Sequence, residues 1–209
     1  MGMVSKENEL LVIFGHLLDK VVSECFPELS HYRIRLRLVF NENGDVKGMI
    51  VREGNAFTIY INASFIEDDV DAMYAIAHEL AHVLIDPMGV PSGNVRPKDI
   101  VEYAEFVLED VIADFIAYRR LCRAFANDRG RLLRLQELYL RDLGEGSHLA
   151  AFMDLKEVII RELRGLDKRI VRRVVREYFN EDNVEVLNEL QLIELFKYVR
   201  ALKGLLANR

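Results

Sequence analysis

Ala75-Ile76-Ala77-His78-Glu79-Leu80-Ala81-His82-Val83-Leu84-Ile85 is the stretch on which the reading of this 209-residue chain turns. Its small and apolar residues run all round a helix, which marks the helix as buried. Four residues of helix turn through about 400°, so His78 and His82 stack on one face, while Glu79 is offset from His78 by about 100°. Two histidines and a glutamate in a buried helix need strong partners. Two imidazoles one turn apart can share one divalent cation. A carboxylate beside that cation, rather than on it, is placed to take a proton from water.

The helix runs from about Asp69 to Ile85. It ends at a loop, Asp86 to Pro97, that holds three of the four prolines of the chain. Upstream, apolar positions at helical spacing cover residues 6 to 25, and Pro27 ends that helix. The period then changes to two. Ile34, Leu36, Leu38 and Phe40 alternate with Arg33, Arg35 and Arg37, which reads as a strand with one wet face. Asn41-Glu42-Asn43-Gly44-Asp45 reads as a hairpin turn. Met49 to Arg52 is a second strand, Gly54-Asn55 a second turn, and Phe57 to Asn62 a third strand. The expectation is a three-stranded antiparallel meander. Downstream the pattern is helical, over about Asp99 to Ala126, Leu132 to Asp142, 148 to 163, 167 to 179 and 182 to 206. The fold class read from this order is α+β: a small three-stranded antiparallel sheet packed on helices, followed by a helical C-terminal extension. The expected division is 1–127 for the core and 128–209 for the extension, packed on the core.

A tetrahedral catalytic zinc has three protein ligands and one open position. The helix from Asp99 offers the third. Asp110 and Asp114 lie one turn apart on one face, among Val107, Leu108, Val111, Ile112, Ala113, Phe115 and Ile116. One of these carboxylates could bind the metal, and the other could accept the free N–H of a ligand histidine. Glu109, with its longer reach, is the rival ligand. Glu102 and Glu105 read as a solvated face.

Ala77-His78-Glu79-Leu80-Ala81-His82-Val83-Leu84 resembles the active-site helix of the gluzincin branch of the zincin metallopeptidases. Asp110-Val111-Ile112-Ala113-Asp114 is similar to the second motif of that branch, Glu-x-x-Ala-Asp or Asn, as found in thermolysin-like, CAAX-endopeptidase-like and ImmA/IrrE-like catalytic cores. The resemblance covers about residues 10 to 120 and implies a zincin-like core that hydrolyses peptides or proteins. It implies Zn²⁺ held by His78, His82 and Asp110, with Asp114 supporting a ligand histidine and Glu79 as general base. This chain has Asp where the family has Glu, which keeps Glu109 as the alternative to Asp110. The resemblance also implies that Tyr60-Ile61-Asn62 ends a strand that pairs with extended substrate. Tyr103, Tyr118 and His148 are the candidates for a donor to the oxyanion.

The net charge of -6 and a pI near 5.5 argue against a general nucleic-acid binder. A basic run from Arg161 to Arg176 reads as a helix face paired with glutamates, or as a contact for an acidic partner. Cys25 and Cys122 stand far apart and outside any CxxC pattern, which suits buried thiols in a reducing compartment. The apolar stretch Leu10 to Leu18 is interrupted by His16 and too short for a membrane span. The expected location is cytoplasmic. Glutamine occurs only at 136 and 191 while Glu, Lys and Arg abound, a bias of heat-adapted proteins. The expectation is a zinc metallopeptidase. The alternative is a non-catalytic or regulatory zincin-like protein that binds a partner through its C-terminal helices.

Overall fold

The computed structural model describes residues 3–41, 47–90 and 100–142, with 169, 193, 196 and 197; side chains are described from residue 8 and, in the third helix, from residue 109. The fold is mixed α/β with helix dominant. In chain order the elements are α1 (Met3–Cys25), β1 (Arg33–Val39), β2 (Gly48–Glu53), β3 (Ala56–Asn62), α2 (Asp69–Ile85), α3 (Ile100–Ala124) and α4 (Arg129–Asp142). Two compact units are distinguished: Met1–Val95 with Ala113–Tyr139, and Arg96–Ile112 with Leu140–Arg209.

The sheet differs from the expected antiparallel meander. Its order is β1-β3-β2, with β1 parallel and β2 antiparallel to β3. The reason is burial. A meander would put β2 in the middle, with Arg52 and Glu53 between two neighbours. Instead the middle goes to β3, where every residue but Tyr60 is buried. The strand with three arginines takes one edge and keeps them at least partly exposed. Of the two expected turns, Gly54 makes the β2–β3 turn with φ of 64°, a conformation that favours glycine. Residues 42–46 lie outside the described residues, and β3 separates the strands they were expected to join. Asn62 closes the open end of this arrangement. Its side-chain amide donates to the Asn41 carbonyl at 2.8 Å and its Oδ1 accepts from the Asn41 N–H at 3.2 Å.

One face of the sheet carries Leu36 and Leu38 of β1, Ile59 and Ile61 of β3, and Ile50 and Gly48 of β2. Helix α1 packs on β1, α2 packs on β2 and β3, and the two helices pack on each other. Ile59, Ile61, Met73, Ile76, Leu80 and Val83 are sealed from solvent, each contributing about 1.5–3 kcal/mol of transfer free energy. Helix α2 begins where its cap sits: the Asp68 carboxylate accepts from the Asp71 N–H at 2.9 Å. Arg134 of α4 donates to the same carboxylate at 2.7 Å and also pairs with Glu67. Burial works against the Asp68 charge, but the Asp71 amide and Arg134 hold its carboxyl below the usual range. Arg120 of α3 donates to the Cys25 carbonyl at 2.7 Å, which satisfies an end carbonyl of α1.

Among the described residues no helix is long and apolar enough to cross a membrane. The expected helices beyond Asp142 lie outside the described residues, apart from Arg169, Ile193, Phe196 and Lys197. These four are helical, with Ile193 and Phe196 buried. The basic run likewise lies outside them, except for the exposed Arg169.

Candidate metal centre

Helix α2 spans the predicted residues, and its phase sets the site. With Ile76, Ala77, Leu80, Ala81 and Val83 packed inward, His78 and His82 fall on the half-buried stripe of the helix. Their rings stand edge to face with centroids 4.9 Å apart. The Nε2 atoms approach to 3.1 Å.

Helix α3 supplies the acids. Nδ1 of His78 lies 2.7 Å from Oδ1 of Asp114, which also accepts from the Tyr74 hydroxyl at 3.0 Å. A carboxylate acceptor favours the proton on Nδ1, which makes Nε2 of His78 the unprotonated nitrogen, the form that binds a cation. Asp110 lies one turn before Asp114 on the same continuous helix and hence on the same face. One ligand atom each from His78, His82 and Asp110 falls within 4.8 Å of the others. Among the described residues this is the one group of three or more such side chains with that spacing. Glu109, offset by about 100° around α3, is half-buried and outside the group.

The donor set suits a divalent metal of borderline softness. Two nitrogens each about 2.0–2.1 Å from one tetrahedral ion sit about 3.3 Å apart, close to the 3.1 Å observed. Among the described residues the donor set is two imidazoles and one carboxylate, three ligands of the kinds that bind zinc. Neither cysteine competes. Burial pushes the Cys25 thiol up to about 11 and also raises that of Cys122, so both favour the neutral thiol.

An aromatic pair lies near Asp114. Tyr118 and Tyr139 are buried and stack with ring centroids 4.0 Å apart at 15°. Burial, then the nearby Asp114 charge, raises the Tyr139 phenol above its ordinary range. Its hydroxyl has no hydrogen-bond partner among the described residues. The His78 and Asp114 side chains are only 17% and 15% exposed, and shielding from water strengthens their contact. Asp114→Asn is therefore expected to weaken zinc binding by about 10–100-fold, as read by competition with a fluorescent chelator. The fold should persist, because an amide oxygen still accepts from Tyr74. Unchanged zinc affinity in that variant would show that the carboxylate does not orient His78.

Glu79 is buried at 5% exposure and lies against the first residue of β2, Gly48. The strand expected to meet substrate is corrected. Tyr60-Ile61-Asn62 belongs to β3, which is hydrogen-bonded on both sides and has no free edge. β2, the strand beside Glu79, is an edge strand among the described residues. Of the expected oxyanion donors, Tyr118 is buried in its stack, while the Tyr103 side chain and His148 lie outside the described residues. Two contributors escaped the sequence reading. Tyr74 sits one turn before His78, and that spacing was a usable signal. Gly48 gave no local signal at all.

Comparison with protein-family models, with curated proteins and with solved structures returns no match for this chain.

Proposed function

We propose that the chain is a zinc-dependent peptidase with a zincin-like core. The observation that carries the proposal is the convergence of His78, His82 and Asp110, with Asp114 behind His78 and Glu79 one residue along α2. A zinc ion held by those three side chains would supply Lewis-acid polarisation of a peptide carbonyl and would acidify a water. Glu79 takes the proton of the attacking water and later delivers it to the leaving amine. Its burial keeps bulk water off that carboxylate and makes its charge count for more. Asp114 holds the His78 ring and its tautomer through the reaction. Among the described residues β2 is an edge strand, and an edge can pair with an extended polypeptide, which favours a peptide substrate over a small molecule.

Chelation tests the proposal. Treating the full chain with 1,10-phenanthroline is expected to abolish cleavage of a mixture of quenched fluorogenic peptides. Stoichiometric zinc should restore it, and magnesium, which prefers octahedral oxygen sites, should not. Cleavage that persists with the metal removed would refute a metal-dependent reaction.

A further inference from the structure

We infer that Gly48 is a positioning residue that sets where the Glu79 carboxylate sits, an inference that rests on the reading of Glu79 as proton acceptor. A Cβ on Gly48 would lie 2.5 Å from Glu79 Oε1, 3.2 Å from its Cδ and 3.3 Å from its Cγ. Gly48 is not there for backbone freedom: among the described glycines only Gly54 has a positive φ. What Gly48 provides is room. Its bare backbone lies against the carboxylate, and Glu79 as a residue is 5% exposed.

Neither partner can retreat by moving its backbone. The residue before Gly48 is held twice. The Lys47 carbonyl accepts from the Asn62 N–H at 2.9 Å, and the Lys47 ammonium pairs with the Asp71 carboxylate. Asp71 is fully buried on α2, about two turns before Glu79, and also accepts from the Glu67 N–H at 3.0 Å. After Gly48, β2 stays in register with β3 through Met49 and Tyr60. On the other side α2 is wedged by Ile76, Leu80 and Val83, all sealed from solvent. Lys47–Asp71 thus ties the strand to the helix that carries Glu79. The three nearest atoms that the new methyl would meet all belong to the Glu79 side chain, so the strain falls on the carboxylate end of that side chain. A displacement of about 1 Å at a reacting group can cost about 10²-fold in rate.

The test uses the full-length, zinc-loaded chain and the variants Gly48→Ala, Glu79→Ala, Glu79→Gln and the double variant Gly48→Ala with Glu79→Ala. Gly48→Ala is expected to bind one zinc per chain as the wild type does. Its kcat on the fluorogenic peptide mixture should fall about 10²-fold, with KM within about two-fold, as for a group acting only in the transition state. In a thermal-unfolding cycle, Gly48→Ala should lower the midpoint when Glu79 is present. It should lower it little or not at all in the Glu79→Ala background, where the space is vacant. Should Gly48→Ala alone fail to fold, the double variant is expected to fold. Equal destabilisation in both backgrounds, or an unchanged kcat in Gly48→Ala while Glu79→Gln is inactive, would overturn the inference. Cleavage retained in Glu79→Gln would instead overturn the reading of that carboxylate, and the stability cycle does not depend on it.

Discussion

Replacing Glu79 with Gln is expected to leave zinc bound and the fold unchanged while lowering peptide hydrolysis by about 10²–10⁴-fold, the usual contribution of a positioned general base. The substitution conserves volume, so the packing of this buried side chain against Gly48 is kept. Only the capacity to hold a proton is lost. The loss should fall on kcat rather than KM, since a proton acceptor acts in the transition state. Zinc content is the internal control, because the ligand group is His78, His82 and Asp110 and does not include Glu79. Undiminished cleavage by Glu79→Gln would remove this residue from the reaction, whatever the metal content.

The second large effect concerns the metal itself. Changing His78 and His82 together to Ala is expected to take zinc content from about one per chain to none after dialysis, and to abolish cleavage with it. Two of three protein ligands are then gone, and the remaining Asp110 is an oxygen donor with no chelate partner. The fold should tolerate the change in the absence of metal. Both rings are half-buried, and the packing of α2 rests on Ile76, Leu80 and Val83. Asp114 would keep the Tyr74 hydroxyl as a donor. Near-stoichiometric zinc in the double variant, by elemental analysis, would place the metal elsewhere in the chain.

How much of this was legible in the residues differs from element to element. Helix α2 was readable along its length, because apolar residues predominate from the Asp68 cap to the turn that holds Pro87. Gly54 announced its turn. The pairing of the strands was not readable. Periodicity shows that Ile34, Leu36 and Leu38 share a face, but not which strand lies beside them. Hydrogen-bonded order is a long-range outcome decided by burial, and the most apolar strand, β3, took the centre. The same limit applied to the site. Spacing alone puts His78 with His82 and Asp110 with Asp114. It does not say whether Asp110 or Glu109 comes near the histidines, which follows from the phase of α3 and its His78–Asp114 contact. With that contact in place, the residue one turn earlier is Asp110, which falls in the group, while Glu109 does not. Gly48 meets Glu79 across 31 positions of sequence through sheet-to-helix packing, a contact no local pattern encodes.

Whether two imidazoles and one carboxylate close on a single divalent cation can be read from zinc K-edge X-ray absorption on the metal-loaded chain. The expected spectrum has a shell of nitrogen and oxygen at about 2.0–2.2 Å. It also carries multiple scattering from two imidazoles, which should be lost in the variant lacking His78 and His82. A sulfur shell at about 2.3 Å, or a spectrum without imidazole scattering, would contradict such a centre.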